Sequence, residues 1–356
     1  MERVLVGLSG GVDSAVAAYL LKKEGYDVVG VMLRTWASDN GEESRCCEID
    51  DARAIAGKLD IPFHAMNCMD DFRSKVIGPF MEQYLHGLTP NPCILCNRYV
   101  KWERLMYYKE VLKADHIATG HYANIVRLAN GRLTVRNADH IDKDQTYMLY
   151  RLTQEQLAAT LMPLGKFSKD EVRAIAADAG IPVADKPDSQ EICFIPDDDH
   201  AEFIRKNHDG DVPDEGNFVD TAGNVLGKHK GIIHYTVGQR KGLGIALGKP
   251  AYVCRIDADK NEVTVGDLQD IMSDTVACGE MNFLSINAPD LGEIIRCRVK
   301  IRYHHKPTYA KVNVIDDTNV KIIFDEPVKG AAPGQSAVMY DDDGCVIGGG
   351  VICKDV

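Results

Sequence analysis

A glycine turn between an apolar run and a helix-like run constrains the fold of this chain most. Residues 9–14 read SGGVDS, directly after the apolar residues Val4, Leu5 and Val6 and directly before a helix-like stretch at 15–21. A strand that leads through a glycine turn into a helix points backbone N–H groups and the positive end of the helix dipole at one spot. The pattern therefore predicts a phosphate-binding loop.

Each residue type in this loop has a chemical use in holding an anion. Gly10 and Gly11 let the backbone approach a phosphate, and Ser9 and Ser14 add hydroxyl donors. Asp13 either holds Mg²⁺ on the phosphates or caps the helix, and the sequence leaves both roles open.

Two other phosphate-binding motifs are excluded by their spelling. A Walker loop fails because the nearest candidate, Gly248 with Lys249, is followed by Pro250 instead of a hydroxyl residue. A dinucleotide fingerprint fails because the glycines here are adjacent. The loop resembles that of the pyrophosphatase-loop (PP-loop) ATP enzymes. This resemblance implies cleavage of ATP between its α and β phosphates, with adenylation of a substrate oxygen.

Composition places the chain among ordinary globular proteins. Its 356 residues allow two or three domains, and 45% are hydrophobic and 26% charged. No run approaches about 18 apolar residues and the N-terminus enters a strand without a signal-peptide pattern, so we expect a cytoplasmic protein with no membrane partner. The net charge of −12 argues against general polyanion binding, so a nucleic-acid partner needs a local basic patch.

The first half of the chain alternates strands and helices. Apolar runs at 28–33, 63–66 and 116–119 predict buried strands, with helices at 50–59 and 101–112. Such alternation predicts a parallel sheet with covered faces, whose ligands lie at the carboxyl ends of the strands. We therefore expect one nucleotide crevice from three loops: Gly7 to Ser14, the strand end near Leu33, and the turn at Thr119, Gly120 and His121.

The pattern changes after about residue 205. Residues 209–230 are rich in Gly and Asp, and from Tyr252 onward short β-like runs are broken by turn residues. The predicted organisation is an α/β parallel-sheet domain over residues 1–205, a small central connecting domain over 206–280 and a C-terminal β-barrel over 281–356.

Two stretches of the later domains are basic. A strand over 296–302 places four cations on one face with no acid in the run to relieve their repulsion: Arg296, Arg298, Lys300 and Arg302. The second stretch, YTVGQRKGL at 235–243, brackets Arg240 and Lys241 with glycines. A solvated strand face is the alternative for the first stretch, but together the two favour RNA as the large partner.

Eleven cysteines are too scattered for a secreted disulfide scaffold. Cys93 and Cys96 form a C-x-x-C pair after two prolines and before a helix, and Cys193 lies in a polar loop. A redox pair, half of a zinc site, a cluster site and a structural role all stay open for them. We interpret the others as structural: Cys46, Cys47, Cys68, Cys254, Cys278, Cys297, Cys345 and Cys353.

Eight spaced motifs together resemble the tRNA-specific 2-thiouridylases over nearly the whole chain. They are SGGVDS, TPNPxxxCN at 89–97, ATGHYA at 118–123, KDQTYML at 143–149, DSQEICFI at 188–195, YTVGQRKGLGI at 235–245, RYHH at 302–305 and PGQSAV at 333–338. The resemblance implies an adenine-nucleotide α-hydrolase-like first domain. It also implies a transferase that uses ATP and Mg²⁺ to adenylate the C2 oxygen of the wobble uridine in tRNAs for Lys, Glu and Gln. An upstream persulfide-carrying protein is implied as the sulfur donor.

The resemblance further implies roles for individual residues. Cys193 carries the persulfide and Cys96 attacks it, which liberates sulfide or closes a disulfide between the two. The implied ATP-binding residues are Gly7, Leu8, Ser9, Gly10, Gly11, Val12, Asp13, Ser14, Leu33 and Gly120. The implied tRNA-binding residues are Asn91, Pro92, Cys93, His121, Lys143, Asp144, Gln145, Arg302, Tyr303 and Gln335.

Cys93 departs from the family pattern, because much of the family has an Asp there with an assigned acid/base role. Cys93, Cys96 and Cys193 supply three thiolates, the number that holds a 4Fe-4S cluster with one iron open to bind sulfide. Two hypotheses therefore stay open. Either a cluster sits on these three residues, or Cys93 is a tolerated substitution and the persulfide route survives.

Two functions of other classes compete with this interpretation. Another PP-loop adenylating enzyme, such as an amidotransferase-type synthetase, uses ammonia and does not require Cys96 or Cys193. A non-catalytic tRNA-binding sulfur carrier keeps the basic barrel but has no use for SGGVDS. Neither explains the cysteines and the loop together.

Overall fold

The structure, a computed structural model, has alternating strands and helices up to residue 198 and mostly strands thereafter. It describes residues 1–37, 48–184, 186, 192–195, 197, 199–245 and 248–354. Cys46 and Cys47, predicted to be structural, lie outside the described residues, as do residues 188–191 of the DSQEICFI motif. No helix in the described part of the chain is long and apolar enough to cross a membrane.

The elements up to residue 198 are β1 (Arg3–Gly7), α1 (Val12–Lys23), β2 (Asp27–Arg34), α2 (Ile49–Lys58), β3 (Phe63–Asn67), α3 (Met69–Phe72), α4 (Gly78–Leu85), α5 (Pro92–Cys96), α6 (Trp102–Val111), β4 (His116–Ala118), β5 (Asn124–Arg127), β6 (Leu133–Arg136), α7 (Gln154–Ala159), β7 (Thr160–Leu161) and α8 (Lys169–Asp178). Those that follow are α9 (His200–Asn207), β8 (Gly216–Val219), β9 (Val225–His229), β10 (Tyr252–Asp257), β11 (Glu262–Gly266), β12 (Met272–Phe283), β13 (Ile294–Lys300), β14 (Thr308–Val314), β15 (Val320–Lys329), β16 (Ser336–Tyr340) and β17 (Val346–Ile352).

The chain divides into two units built from discontinuous segments. Unit 1 comprises Met1–Val76, Cys93–Asp198 and Asp343–Ile347. Unit 2 comprises Ile77–Pro92, Asp199–Asp342 and Gly348–Val356.

Unit 1 is organised around a five-stranded sheet in the order β3-β2-β1-β4-β7. All four strand pairs are parallel, as the alternating sequence pattern predicts. The predicted apolar run of β1 lies at the centre of the sheet and its residues 4–6 are fully buried. Helix α1 packs against β1, β2 and α8, and its residues 15–18 are fully buried. Because these α1 residues are Ala, Val, Ala and Ala, the helix can approach the sheet closely, which fixes the glycine turn at the carboxyl edge of the sheet.

Unit 2 is all-β apart from short helices. Strands β10, β11, β8 and β9 form one sheet, and β12, β15, β14, β13, β16 and β17 close into a barrel. The barrel confirms the predicted C-terminal β architecture. Strands β8 and β9 lie within residues 209–230, where the sequence pattern predicts no strand. Their short runs become strands because β8 pairs with β11 and β9 with β8, and β11 is distant in sequence.

The expectation of an unrelieved cationic strand is wrong. Arg296 forms a two-pronged ion pair with Asp325 of β15, and Arg298 lies 3.7 Å from the carboxylate of Asp342. Strand β13 ends at Lys300, so Arg302 lies beyond it. The two acids lie about 30 to 45 residues farther along the chain, so the pattern of the run itself cannot predict these ion pairs.

Candidate active site

The glycine turn after β1 is stabilised by hydrogen bonds that the Ser14 hydroxyl makes within the turn. Gly10 has a φ of +82°, and a Cβ there would lie 2.8 Å from the carbonyl oxygen of Glu48, so glycine is required. The Ser14 hydroxyl donates to the Gly11 carbonyl oxygen at 3.0 Å and accepts from the Ser9 N–H at 3.2 Å. Helix α1 follows with Gly11 as its N-cap. The first N–H groups of α1 are thus gathered at a preformed turn suited to an anion.

The three predicted strand ends meet at this edge of the sheet. β1 pairs with both β2 and β4, in a register that places Gly7 beside Val31. Leu33 follows two residues beyond Val31. A Cβ on Gly120 would lie 2.7 Å from backbone atoms of both Asp13 and Ser14, so the turn after β4 packs directly on the loop. The convergence expected from the order of strands is therefore observed.

Asp13 does not cap α1, so that predicted alternative is wrong. Gly11 is the N-cap, and Asp13 lies in the first turn of the helix. Its carboxylate accepts a hydrogen bond from the Tyr122 hydroxyl at 2.7 Å and pairs with the Lys169 ammonium at 2.7 and 2.9 Å. Sequence reasoning misses Lys169 because the residue opens a helix 156 positions away and carries no local motif.

The C-x-x-C pair lies on a short helix of its own, α5, and precedes the predicted helix, which is α6. α5 begins at Pro92, whose fixed φ suits a first helical position. Cys93 is exposed and Cys96 is buried. The chain continues as a π-helical segment over Asn97–Lys101, a geometry frequent at functional sites. Asn97 is buried and donates from Nδ2 to the Met148 carbonyl oxygen at 3.1 Å, which ties this segment to the KDQTYML motif.

Cys193 lies in a short turn whose neighbouring side chains anchor it. Phe194 and Ile195 are buried, and the Phe194 ring packs edge-on against Phe72 with ring centroids 5.5 Å apart. Cys193 itself is half-buried. The Phe194 contact therefore anchors the turn that carries the thiol.

The three thiols do not form a metal site in this structure. Among the residues that the structure describes, no group of three or more His, Cys, Asp or Glu side chains is placed to hold a metal ion. A 4Fe-4S cluster on Cys93, Cys96 and Cys193 needs the three sulfurs gathered around one centre. The donor set as arranged here therefore does not fit a cluster.

His121 lies next to Gly120 and packs against Trp102 with ring centroids 5.3 Å apart. Its Nδ1 lies 2.9 Å from the Thr119 hydroxyl. Burial, with a smaller contribution from the positive charge of Lys101, lowers the pKa of His121 to about 3. The imidazole is therefore neutral at the edge of the loop throughout the physiological pH range.

We expect His121 to make stability depend on pH. Its folded pKa lies below the unfolded value of about 6.5, so its contribution is complete above pH 6.5 and is lost as pH falls toward 3. Between pH 7 and 4.5 the wild type should lose about 2 to 3 kcal/mol of unfolding free energy through this group. His121→Asn should lack that component in urea unfolding curves at the two pH values. Equal pH slopes in wild type and variant would contradict the assignment.

The KDQ segment predicted to touch tRNA contributes two residues to the packing of unit 1. Asp144 is buried, and its carboxylate accepts from the Ala138 N–H at 3.0 Å and the Thr146 hydroxyl at 2.7 Å. The Gln145 side chain accepts from the Tyr122 N–H at 2.9 Å. Lys143 closes a short 3₁₀ helix and is half-buried. The geometry of Asp144 suits a structural role for its carboxylate.

In unit 2, Gln335 holds the segment that leads to the C-x-x-C pair. Its side-chain amide donates to the carbonyl oxygens of Thr89 and Pro90 at 3.0 and 3.4 Å, and the Thr89 N–H donates to the Pro333 carbonyl oxygen at 2.8 Å. Two motifs about 245 residues apart, PGQSAV and TPNP, are therefore joined. Asn91 and Pro92 follow directly on this anchor.

Arg302 joins the two predicted basic stretches of unit 2. Its guanidinium donates to the carbonyl oxygens of Val237 and Gly330 at 2.6 and 2.7 Å. Arg240 and Lys241 remain exposed in the adjoining loop, and Arg240 lines a surface hollow of about 450 Å³. Tyr303 lies beneath the Lys300 ammonium, 5.6 Å from the ring centre. Arg302 thus binds the backbone of the 235–243 loop, and Arg240 and Lys241 of that loop stay exposed to solvent.

Four of the cysteines outside the candidate site have surroundings that keep the thiol protonated. Burial raises the pKa of Cys254 to about 11 and that of Cys297 to about 12, and it also raises the pKa of Cys278 and Cys353. Cys68 and Cys345 are buried. These thiols suit the structural interpretation made from sequence.

The fold and the loop define a class: a HUP-type α/β nucleotide domain followed along the chain by two β domains. Residues 2–197 match the family model described as tRNA methyl transferase HUP domain. Residues 202–267 match the tRNA methyl transferase PRC-barrel domain, and residues 273–352 match the aminomethyltransferase beta-barrel domain. The predicted fold class is confirmed.

The chain belongs to the tRNA-specific 2-thiouridylase family. It is 50% identical over 362 residues to the tRNA-specific 2-thiouridylase MnmA of Lachnoclostridium phytofermentans, with 99% of this chain and 100% of that protein covered. It is 49% identical over 359 residues to MnmA of Acetivibrio thermocellus, with 99% of each covered. The domain descriptions name a methyl transferase, but a full-length match at half identity is the more specific finding. It confirms the family expected from the motifs.

Among solved structures, the U34-tRNA thiolase NcsA from Methanococcus maripaludis with its 4Fe-4S cluster is similar at 22% identity and a TM-score of 0.36. The match covers 59% of this chain and 67% of that chain. A TM-score at this level supports no functional comparison.

Proposed function

We propose that this chain catalyses the ATP-dependent 2-thiolation of the wobble uridine in tRNAs for Lys, Glu and Gln. One observation carries the proposal: the preformed anion loop and both candidate sulfur-handling residues, Cys96 and Cys193, belong to the same unit. An adenylating enzyme of another kind has no need of the thiols, and a sulfur carrier has no need of the loop. We place the enzyme in the cytoplasm and keep the three-domain organisation as part of the proposal, with the barrel domain taken to include all of β12.

The loop performs the activation step. Backbone N–H groups of the turn and of the first turn of α1, with the Ser9 and Ser14 hydroxyls, hold the ATP phosphates. The uridine C2 oxygen attacks the α-phosphorus, pyrophosphate leaves, and the C2 oxygen becomes part of a good leaving group, AMP. Mg²⁺ bound with the nucleotide would neutralise charge on the phosphates, and this ion usually keeps several of its waters.

The cysteines perform the sulfur step. An upstream protein loads Cys193 with a persulfide, and Cys193 is half-buried and anchored by Phe194, so it is reachable by such a donor. The Cys96 thiolate attacks the inner sulfur, a Cys96–Cys193 disulfide forms, and the outer sulfur leaves as hydrosulfide to displace AMP from C2. A thiol reductant then restores both thiols for the next turnover.

The tRNA contacts are proposed for both units. In unit 2, the exposed Arg240 and Lys241 lie in a loop that Arg302 holds, and their charges suit a phosphodiester backbone. Gln335 fixes the segment that carries Asn91, Pro92 and Cys93 toward the target base. In unit 1, His121, Lys143 and Gln145 remain candidate contacts. Because Gln335 and Arg302 already bond to backbone groups, we propose that they act mainly by holding these segments.

A reconstituted thiolation assay tests the proposed function. Purified protein, Mg²⁺, ATP, a persulfide-loaded donor and unmodified tRNA should yield AMP, pyrophosphate and 2-thiouridine in equal amounts by nucleoside mass spectrometry. A tRNA with cytidine at the wobble position is the matched control and should yield none of the three. ATP cleavage that does not require tRNA, or 2-thiouridine formed without AMP, would contradict the proposal.

Iron analysis and the Cys93→Asp variant distinguish the persulfide route from the 4Fe-4S cluster route. Because the three thiols are not grouped in this structure, we expect protein purified without oxygen to be colourless and free of iron. We expect Cys93→Asp to thiolate tRNA from the persulfide donor at a rate within about threefold of wild type, since an exposed side chain is replaced. About four irons per chain with visible absorbance, both lost in Cys93→Asp, would establish the cluster route instead.

A further inference from the structure

A buried lysine neutralises the acidic residue of the anion loop. Lys169 is the first residue of α8, a helix that Ser168 and Glu171 begin with a reciprocal capping box. The Lys169 side chain is only 10% exposed, and its ammonium lies 2.7 and 2.9 Å from the two carboxylate oxygens of Asp13. Its position is thus set by the helix start, and its charge is directed at one residue of the loop.

Tyr122 is the second group that holds the Asp13 carboxylate. Its hydroxyl donates to Asp13 Oδ1 at 2.7 Å, the oxygen that lies 2.7 Å from Lys169. The Lys169 ammonium lies 6.0 Å from the centre of the Tyr122 ring. The Tyr122 backbone is fixed on both sides by Gln145, whose side chain accepts the Tyr122 N–H at 2.9 Å and whose N–H donates to the Tyr122 carbonyl oxygen at 3.0 Å. Two separate segments therefore hold Asp13, and Gln145 of a third segment fixes one of them.

Without Lys169, the negative charge of Asp13 would weaken the binding of a phosphate at the loop. A carboxylate in the first turn of α1 stabilises the helix dipole, but it also repels any phosphate that approaches the same N–H groups. A cation at 2.7 Å removes most of that repulsion and keeps the carboxylate turned toward α8. Because the lysine is mostly buried, solvent screens the pair less than it screens a surface pair.

We propose that Lys169 is a positioning residue of the nucleotide site: it neutralises and orients Asp13 so that the loop accepts a nucleoside triphosphate. The inference rests on the proposed use of ATP and deepens it. It assigns to Lys169 no contact with the nucleotide itself.

Equilibrium binding of ATP with Mg²⁺ to the full chain, measured by isothermal titration calorimetry without tRNA, tests the proposal. Lys169→Met should weaken ATP binding roughly 10- to 100-fold, because an uncompensated carboxylate then faces the phosphates. Lys169→Arg keeps the charge and should bind within about threefold of wild type. Lys166→Met is the matched control: it removes an exposed lysine three residues earlier and should leave the affinity unchanged.

A double-mutant cycle separates positioning from direct contact. In an Asp13→Asn background, where there is no carboxylate charge to cancel, adding Lys169→Met should cost less than about threefold in ATP affinity. An equal loss in both backgrounds would show that Lys169 binds the nucleotide itself and would overturn the proposal. A lowered melting temperature with unchanged ATP affinity would overturn it in favour of a purely structural role.

Tyr122→Phe keeps the test decisive if Lys169→Met does not fold. It removes only the hydroxyl donor to Asp13 and should weaken ATP binding about three- to tenfold in a folded protein. Unchanged ATP affinity in Tyr122→Phe would contradict the proposal that the groups around Asp13 position it for nucleotide binding. If the wild type itself binds no ATP, both the proposed function and the inference about Lys169 fail. If the wild type binds ATP and the variants bind it equally well, only the inference about Lys169 fails.

Discussion

Cys193→Ala should abolish tRNA thiolation from a persulfide donor while ATP binding persists. The side chain is half-buried in a turn held by Phe194, so its loss removes a reactive sulfur without opening the core. We expect the rate to fall by at least about 10³-fold, the scale for loss of a covalent participant. Cys96→Ala should fall comparably, because the persulfide then has no thiol partner. Single-turnover formation of 2-thiouridine measures both variants.

Inorganic sulfide and a matched cysteine sharpen this experiment. Millimolar sulfide should restore part of the activity of Cys193→Ala, because adenylation of C2 needs no thiol and free hydrosulfide can displace AMP. Cys254→Ala is the control: Cys254 is also half-buried, but burial raises its pKa to about 11, and we expect wild-type activity. Persulfide-driven thiolation at the wild-type rate in Cys193→Ala would contradict the proposed sulfur route.

Gly120→Ala should severely impair ATP use through a single added methyl group. The new Cβ would lie 2.7 Å from the carbonyl carbon of Asp13 and the nitrogen of Ser14, and both are backbone atoms that cannot rotate away. The first turn of α1 must shift or the turn after β4 must open, and a misplacement near 1 Å costs on the order of 10²-fold in rate. We expect a kcat/KM for ATP lower by about that factor, together with a stability loss of about 1 to 3 kcal/mol.

Gly57→Ala is the matched control for Gly120→Ala. Gly57 lies within α2 in the same unit, and an added Cβ there meets no atom within 4 Å. The substitution should leave kcat/KM for ATP unchanged and raise the free energy of unfolding by about 0.5 to 1 kcal/mol, because alanine favours the helix. If kcat/KM for ATP falls equally in the two variants, the contact between the Gly120 turn and the loop is not the cause.

Patterns that are local in sequence predict their structures well in this chain. The apolar runs of β1, β2 and β3 and the helix over 50–59 appear close to the predicted positions, because short-range periodicity decides which face of a segment can be buried. The glycine turn also follows the prediction, since adjacent glycines after a strand and before a helix allow few conformations.

Interactions across the chain are what local patterns misjudge. The cationic run at 296–302 looks unrelieved until β15 brings Asp325 beside Arg296. Asp13 looks like a candidate helix cap, but the cap is Gly11, and the pairing of Asp13 with Lys169 of α8 leaves no trace in the local pattern. The hydrogen bonds from Gln335 to the carbonyl oxygens of Thr89 and Pro90 are likewise invisible in the local pattern. In each case the partner is a charge or a carbonyl group whose sequence position carries no signal of the pairing.

The sequence by itself determined the class of fold, the family and the candidate chemical components: an anion loop, two cysteines proposed to handle sulfur, and basic loops. These follow from short motifs whose geometry is encoded in consecutive residues. Only the tertiary structure decided how the components are restrained, with Lys169 and Tyr122 on Asp13, Gly120 against α1, and Gln335 on the segment before Cys93. The physical reason is that electrostatic and steric restraint depends on distance in space, and these partners are separated by about 100 to 250 residues along the chain.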